Sequence, residues 1–154
     1  MVSIGKRVAN FTLPATGDKN LSLDDFRGKH LVLYFYPKDN TPGCTLEGQD
    51  FRDAYAKFQA DGADILGVSK DSVKTHENFC AKQSFPFDLL SDADEELCRQ
   101  FDVIKEKNMY GRKYLGIERS TFLIDAKGVL CKEWRKVRVK GHVADVLDAV
   151  QALD

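Results

Sequence analysis

The sequence predicts an α/β three-layer sandwich, a central mixed β-sheet flanked by helices, and three observations carry that expectation. His30 to Tyr36 (HLVLYFY) is an almost unbroken apolar run rich in β-formers, as expected of a strand covered on both faces. Shorter runs of this kind alternate with segments whose apolar residues recur at helical spacing. A hairpin pattern followed by one amphipathic segment closes the chain.

The central run feeds a turn-rich stretch, Pro37 to Cys44 (PKDNTPGC), after which Phe51, Ala54, Tyr55 and Phe58 fall on one helical stripe. Ala63 to Val68 is a second short strand. Ser72 is placed to cap a helix running to Gln83, with Val73, His76 and Cys80 on one face. Phe87 to Leu90 gives a third strand, and Ser91 with Asp94 reads as a capping-box start for a helix that buries Leu97, Cys98 and Phe101. Lys105 to Gly116 reads as a polar loop. Thr121 to Ile124 and Val129 to Trp134 flank Asp125-Ala-Lys-Gly128, which suits an antiparallel hairpin. Val143, Val146, Leu147, Val150 and Leu153 then line one face of a closing helix.

At 154 residues and 43% hydrophobic, residues 1–154 are expected to form one domain with its own core. Twenty-three basic residues against twenty-four acidic ones give a formal charge of −1, which supplies no excess positive field for nucleic acid or anionic lipid. The basic stretches Lys105 to Lys113 and Lys132 to Lys140 read as solvated surface. Met1 to Phe11 lacks the run of about seven apolar residues of a secretory signal, and nowhere do the roughly eighteen needed to span a membrane occur together, so a soluble, cytoplasmic protein without membrane partners is expected. Four cysteines, Cys44, Cys80, Cys98 and Cys131, are too few and too dispersed for a disulfide-dense scaffold, so any bridge among them points to redox activity.

Cys44 falls where the loop after the central strand gives way to a helix, at the carboxyl end of the sheet where ligands of α/β proteins usually sit. The first N–H groups of a helix lack intrahelical acceptors and carry partial positive charge, which favours a thiolate, the nucleophilic form. Packing as a small buried hydrophobe accounts for a lone cysteine equally well. Cys98, beside Leu97 on a helix, and Cys131, in a strand, are explained by packing alone.

The surroundings of Cys44 decide between the two readings. Pro37, Thr41 and Cys44 stand in PKDNTPGCT, a P-x-x-x-T-x-x-C spacing, and Arg119 stands in IERSTFLID. With SLDDFRGK before the central strand, MYGRKYLGIERSTFLID and the terminal GHVADVL, nearly the whole chain resembles the peroxiredoxins, and among them the bacterioferritin-comigratory or peroxiredoxin Q subgroup. The resemblance implies a thioredoxin-like fold and a thiol-specific peroxidase of antioxidant defence and redox homeostasis. Hydrogen peroxide and organic hydroperoxides are the implied substrates, Cys44 the peroxidatic cysteine, and no metal or organic cofactor is implied. It also implies that Arg119 holds the thiolate and a peroxide oxygen as a permanently charged donor. Thr41 would orient the peroxide with its hydroxyl, and Pro37, which lacks an N–H, would wall the pocket. Glu47, which the subgroup often carries, is equally explained as complementing a helix start and is assigned no role.

Many members of the subgroup carry a resolving cysteine five residues after the peroxidatic one, where this chain has Gln49. Others keep it on the following helix, and Cys80, 36 residues after Cys44, matches that arrangement. The implied cycle passes through a Cys44 sulfenic acid and an intramolecular Cys44–Cys80 disulfide that thioredoxin or a similar dithiol reductant opens. A bridge within one chain requires no dimer, so a monomer is expected. A disulfide needs Cα atoms within about 7 Å; two cysteines on helices flanking a strand start farther apart, so local unwinding is expected before Cys80 attacks.

Rival functions fit less well. A thiol–disulfide oxidoreductase needs C-x-x-C, and Cys44-Thr-Leu-Glu47 lacks the second cysteine. A zinc module needs Cys or His pairs at ligand spacing, which the chain lacks, and His30, His76 and His142 read as structural or exposed. The alternative that uses the same cysteine is a peroxide-sensing redox relay without sustained turnover.

Overall fold

The computed structural model describes residues 1–153. An antiparallel pair, β1 (Thr12–Ala15) and β2 (Lys19–Ser22), precedes a 3-10 turn at Leu23–Phe26. The central strand β3 (His30–Phe35) leads into α1 (Pro42–Ala60), then β4 (Ala63–Ser69), α2 (Val73–Gln83), β5 (Asp88–Ser91) and α3 (Glu96–Gln100). After them come β6 (Ile104–Met109), β7 (Arg112–Ile117), β8 (Ser120–Ile124), β9 (Leu130–Trp134) and α4 (His142–Gln151).

Seven strands form one mixed sheet in the order β2-β1-β5-β4-β3-β8-β9, while β6 and β7 form a separate ribbon. β3 lies parallel to β4 and antiparallel to β8, with hydrogen bonds on both edges. The apolar run at β3 is thereby explained. Leu31, Leu33 and Phe35 face a core shared with Leu97, Cys98 and Phe101 around α3. Val32 and Tyr34, with Tyr36 just beyond the strand, face the opposite core, which holds Phe51 and Phe58 of α1, Phe79 of α2 and Val143, Val146 and Val150 of α4. The period-two alternation of strand side chains thus serves two cores, and the three-layer α/β arrangement follows.

Helix ends follow local chemistry. Pro42 occupies the first position of α1, where its missing N–H costs nothing. The Ser72 hydroxyl accepts from the Thr75 amide at 3.2 Å and caps α2, as expected.

Two sequence expectations are corrected. Lys105 to Gly116 is not a loop: Ile104↔Ile117 through Met109↔Arg112 pair as an antiparallel ribbon, turned at Tyr110 (φ 52°) and Gly111 (φ 78°). The ribbon stands outside the main sheet with most side chains in water, so no apolar alternation marked it. Ser91 does not cap α3: the N-cap residue is Glu95, and the carboxylate of Asp92 ahead of it accepts from the amides of Leu97 (3.1 Å) and Cys98 (2.7 Å). Ser91 lies in β5 and its hydroxyl donates to the Asp71 carbonyl. The β1–β2 pair went unread, because its mostly exposed or half-buried residues carry little hydrophobic signal.

Gly67 in β4 lets the Tyr34 ring lie across the sheet. A Cβ there would fall 2.6 Å from Leu89 Cδ2 and 2.9 Å from Tyr34 Cζ and Oη. Gly67→Ala is therefore expected to lower unfolding stability by about 1–3 kcal/mol through overpacking. A urea midpoint equal to that of the parent chain would show that the contact yields without cost.

Candidate active site

The parallel strand β3 delivers its loop, Tyr36 to Thr41, to the carboxyl end of the sheet, and α1 starts there. Thr41 is the N-cap residue, with extended backbone, and its carbonyl accepts from the Thr45 amide at 2.9 Å. Its hydroxyl does not cap the helix; it donates to the Lys38 carbonyl at 2.8 Å and ties the loop to itself. Pro42 has no N–H, so the helix start presents the amides of Gly43 and Cys44, which have no acceptor within the helix. Cys44 stands in this first turn and is 2% exposed.

Arg119 arrives from the other side. β8 runs antiparallel to β3 in the register Phe35↔Ser120, which sets Arg119 beside the start of the Cys44 loop. Nη2 donates to Cys44 Sγ at 3.4 Å and Nη1 donates to Glu47 Oε1 at 2.6 Å. A side chain at Gly43 would obstruct this approach, because its Cβ would lie 3.1 Å from Nη2. Burial works against the guanidinium charge, but the Glu47 carboxylate and the Cys44 sulfur outweigh it and hold Arg119 above the usual arginine range. Glu47 is fully buried, with Oε2 unpartnered among the described residues. Burial raises its carboxyl from 4.5 to about 7, and Arg119 restrains the rise.

The structure thus brings Cys44, Thr41, Pro37 and Arg119 to one end of the sheet and adds Glu47. It also turns Lys107 of the β6–β7 ribbon toward them. Burial, and then the Arg119 charge, hold the Lys107 ammonium below the usual lysine range, while Cys44 and Glu118 pull the other way. Nothing in the local sequence pointed to Lys107. For Glu47 the signal was there: a glutamate one turn after a helix-opening cysteine.

Cys80 stands on a different helix from Cys44. It lies on α2, partly buried, with Sγ against the Phe87 carbonyl at 4.0 Å, and it is not bonded to Cys44. Burial first, then Asp88 and Asp39, push its thiol up to about 12. Cys98 is fully buried in the core and its thiol is also raised by burial; Cys131 sits half-buried in β9.

Asp39, Asp71 and His76 bring ligand-type atoms within 4.8 Å of one another. These atoms are already engaged. Asp39 accepts from Tyr36 at 2.6 Å and lies 2.7 Å from His76 Nδ1, while Asp71 Oδ2 accepts from the Asp39 amide and the Ser69 hydroxyl. The group is a hydrogen-bonded network, and His76 and His142, both buried, are structural in this sense.

Residues 4–132 match the AhpC/TSA family. "Peroxiredoxin Bcp" of Xanthomonas campestris pv. campestris is 58% identical over 146 residues, covering 94% of this chain and 91% of that one. A cysteine-to-serine variant of Xylella fastidiosa PrxQ superposes with a TM-score of 0.93 at 47% identity, covering 99% and 97% of the two chains. Structures of Xanthomonas campestris peroxiredoxin Q, or bacterioferritin comigratory protein, superpose with TM-scores of 0.88 to 0.90 at 56–57% identity, covering 92–94% of this chain and 90–92% of that one. One set of them concerns alkyl peroxide reduction by that protein, and two carry serine in place of cysteines 36 residues apart.

The Glu47 carboxyl gives a pH signature. Its folded value, about 7, lies above the ordinary 4.5, so the folded chain holds a proton that the unfolded chain releases. The associated stability is full below about 4.5 and is lost as pH rises through about 7. Glu47→Gln removes this titration and leaves a pH-independent offset from the unpaired Arg119. From pH 4.5 to 8 the parent chain is expected to lose on the order of 1–3 kcal/mol relative to the variant. Urea midpoints that fall in parallel for the two chains across that window would contradict the assignment.

Proposed function

This chain belongs to the AhpC/TSA family, among the peroxiredoxins of the Bcp or Q kind, and on that premise we propose that its peroxidase cycle runs through Cys44 and Cys80. The chain is a thiol peroxidase that acts on hydroperoxides. The observation that carries the residue assignment is the Arg119 guanidinium donating to Cys44 Sγ at 3.4 Å beside the open amides of a helix start.

In the first half of the cycle, the Cys44 thiolate attacks the terminal oxygen of the hydroperoxide. An S–O bond forms and the O–O bond breaks. The alkoxide or hydroxide that leaves takes a proton and becomes alcohol or water, and the sulfur, two electrons poorer, becomes a sulfenic acid. Arg119 holds the thiolate before attack and meets negative charge on the oxygens as the O–O bond lengthens. The amides of Gly43 and Cys44 add fixed dipoles at the same place. Thr41, whose hydroxyl proton is donated to the Lys38 carbonyl, leaves its oxygen lone pairs to accept from the peroxide at the mouth, and Pro37 closes it without adding a donor. Glu47 keeps Arg119 in place from behind.

In the second half, the Cys80 sulfur displaces the hydroxyl from the Cys44 sulfur. An S–S bond forms, the S–O bond breaks, and the hydroxyl leaves with the Cys80 proton as water. The raised Cys80 thiol supports the idea that this step needs local opening, because a buried, protonated thiol is a poor nucleophile until water reaches it. The 36-residue separation of the two substituted cysteines in the Xanthomonas variants equals that of Cys44 and Cys80 and supports the pairing.

Hydrogen peroxide and alkyl hydroperoxides are the proposed substrates, the latter supported by the activity ascribed to the Xanthomonas protein. A thioredoxin-type dithiol protein is the proposed reductant. A bridge inside one chain needs no second copy, so the cycle is assigned to a single domain acting as a monomer. The cytoplasm, which keeps dithiol proteins reduced, is the expected setting. No helix of the described residues is long and apolar enough to cross a membrane.

Cys44→Ser is expected to abolish peroxide consumption. Cys80→Ser is expected to consume one equivalent, accumulate the sulfenic acid and stop thioredoxin-driven turnover. Arg119→Met is expected to slow the peroxide reaction by about 100-fold or more. Intact-mass and peptide mass spectrometry with peroxide stopped-flow read all three; sustained turnover by Cys80→Ser would remove Cys80 from the cycle.

A further inference from the structure

The buried network at the top of the sheet joins the two cysteine-bearing segments, and the peroxide chemistry does not use it. Asp39 lies in the loop five residues before Cys44, and His76 lies on α2 four residues, about one turn, before Cys80. Their side chains are fully buried and meet at 2.7 Å. His76 Nε2 lies 2.9 Å from the Leu90 carbonyl, which can only accept, so Nε2 carries a proton. Nδ1 faces the Asp39 carboxyl, so this contact holds a second proton shared between ring and carboxyl. Tyr36 donates to the other Asp39 oxygen at 2.6 Å, and the Asp39 amide donates to Asp71 at 2.9 Å. A buried pair of this kind adds little net stability over apolar packing, yet separating it is costly. That suits a device that holds two segments in one arrangement.

We propose that the Asp39–His76 pair is a latch that holds the Cys80 segment of α2 against the Cys44 loop, and that its release sets how fast the sulfenic acid is resolved. The proposal rests on the Cys44–Cys80 reading above. α1 and α2 both start at the carboxyl ends of adjacent parallel strands, β3 and β4. Cys44 is the third residue of α1 and Cys80 the eighth of α2, an offset of about 8 Å along the helices at 1.5 Å per residue. For Cys80 to climb to Cys44, the turn that carries His76 must give way. For Cys44 to descend, the first turn of α1 must unwind and draw on the loop that carries Asp39. The far end of α2 is held as well: Gln49 Nε2 donates to Gln83 Oε1 at 2.9 Å and Arg52 Nη1 donates to the Gln83 carbonyl at 2.8 Å. Those clamps are partly open to water, whereas the Asp39–His76 pair is dry.

While the latch is closed, the site is competent for peroxide but the sulfenic acid waits. A second peroxide can then oxidise it to the sulfinic acid. Loosening the latch favours the open, resolving form. The test measures three quantities in the full chain: the rate of Cys44 oxidation, the first-order rate of disulfide formation, and the sulfinic fraction across peroxide concentrations. His76→Gln is expected to speed disulfide formation by about tenfold and to lower the sulfinic fraction correspondingly. Tyr36→Phe, which leaves the pair but removes one bond to Asp39, is expected to shift the same partition by a smaller factor. Val150→Ala, a cavity in α4 away from both segments, lowers stability without moving the partition. Unchanged or slower resolution in Tyr36→Phe and in a folded His76→Gln overturns the latch, as does a partition that moves equally in Val150→Ala. Absence of any Cys44–Cys80 bond in the oxidised parent chain instead overturns the underlying pairing.

Discussion

Arg119 carries a charge that the fold has nearly sealed from water, with its side chain 16% exposed, and it has two partners: the Glu47 carboxylate at 2.6 Å and the Cys44 sulfur at 3.4 Å. A charge so covered is tolerable only where geometry and hydrogen bonds satisfy it. That requirement reaches outward. It fixes the start of β8 against the end of β3, it fixes the first turn of α1 so that sulfur and carboxylate lie on one face, and it favours a glycine at 43, where a Cβ would crowd the guanidinium at 3.1 Å. Cys44 and Glu47 are three residues apart on a helix, the spacing that puts two side chains on one face and lets one cation serve both. Removing Glu47 would leave the guanidinium half satisfied and free to swing; removing Cys44 would leave it half employed.

The elements legible in the sequence were those whose pattern one burial environment dictates. Leu31 to Phe35 is apolar on both faces because a packed core lies against each. The α4 stripe of Val143, Val146 and Val150 was equally plain, since that helix has one face on the core and one in water. What escaped was held by turns and side-chain hydrogen bonds. The β6–β7 ribbon lies outside the sheet and obeys no simple polar alternation, and its turn uses Tyr110-Gly111, a weak hairpin signal beside Asn-Gly. The α3 start illustrates a different difficulty: Ser91, Asp92 and Asp94 are all acceptable caps locally, and only the position of β5 decides that Asp92 faces the helix amides.

The site was legible to a similar depth. Pro37, Thr41 and Cys44 stand at fixed spacing along one loop and the first turn of α1, so the chain itself keeps them together. Arg119 lies 75 residues from Cys44, and only the antiparallel register of β3 and β8 joins them, so its place followed from family resemblance and not from local pattern. Glu47 was ambiguous because the same residue at a helix start serves equally well to meet the helix dipole in water. Full burial separates the two meanings, and burial at that position depends on tertiary packing. The Asp39–His76 contact is of the same kind: its members are 37 residues apart, with no shared motif.

Peroxide reduction and disulfide formation ask opposite things of one fold. The first needs a covered sulfur, a cation held without slack and few competing waters. In the second, as proposed, two sulfurs meet although one is 2% exposed in α1 and the other is held as a protonated thiol against Phe87. The chain meets both demands if the covered state is firm in its core and conditional at the edge where α1 and α2 begin. β3, β4 and the packed rings of Tyr34 and Phe51, 4.6 Å apart, remain in place whichever way that edge moves. Gln49 shows how the balance is set by sequence. It occupies the position where many peroxiredoxins of this kind carry the resolving cysteine, and here it bonds Gln83 and helps to fasten the very helix that carries Cys80. On the proposed pairing, the second thiol sits on an element that must be held for the first reaction and released for the second. On that reading, the strength of those fastenings governs how long the oxidised intermediate survives.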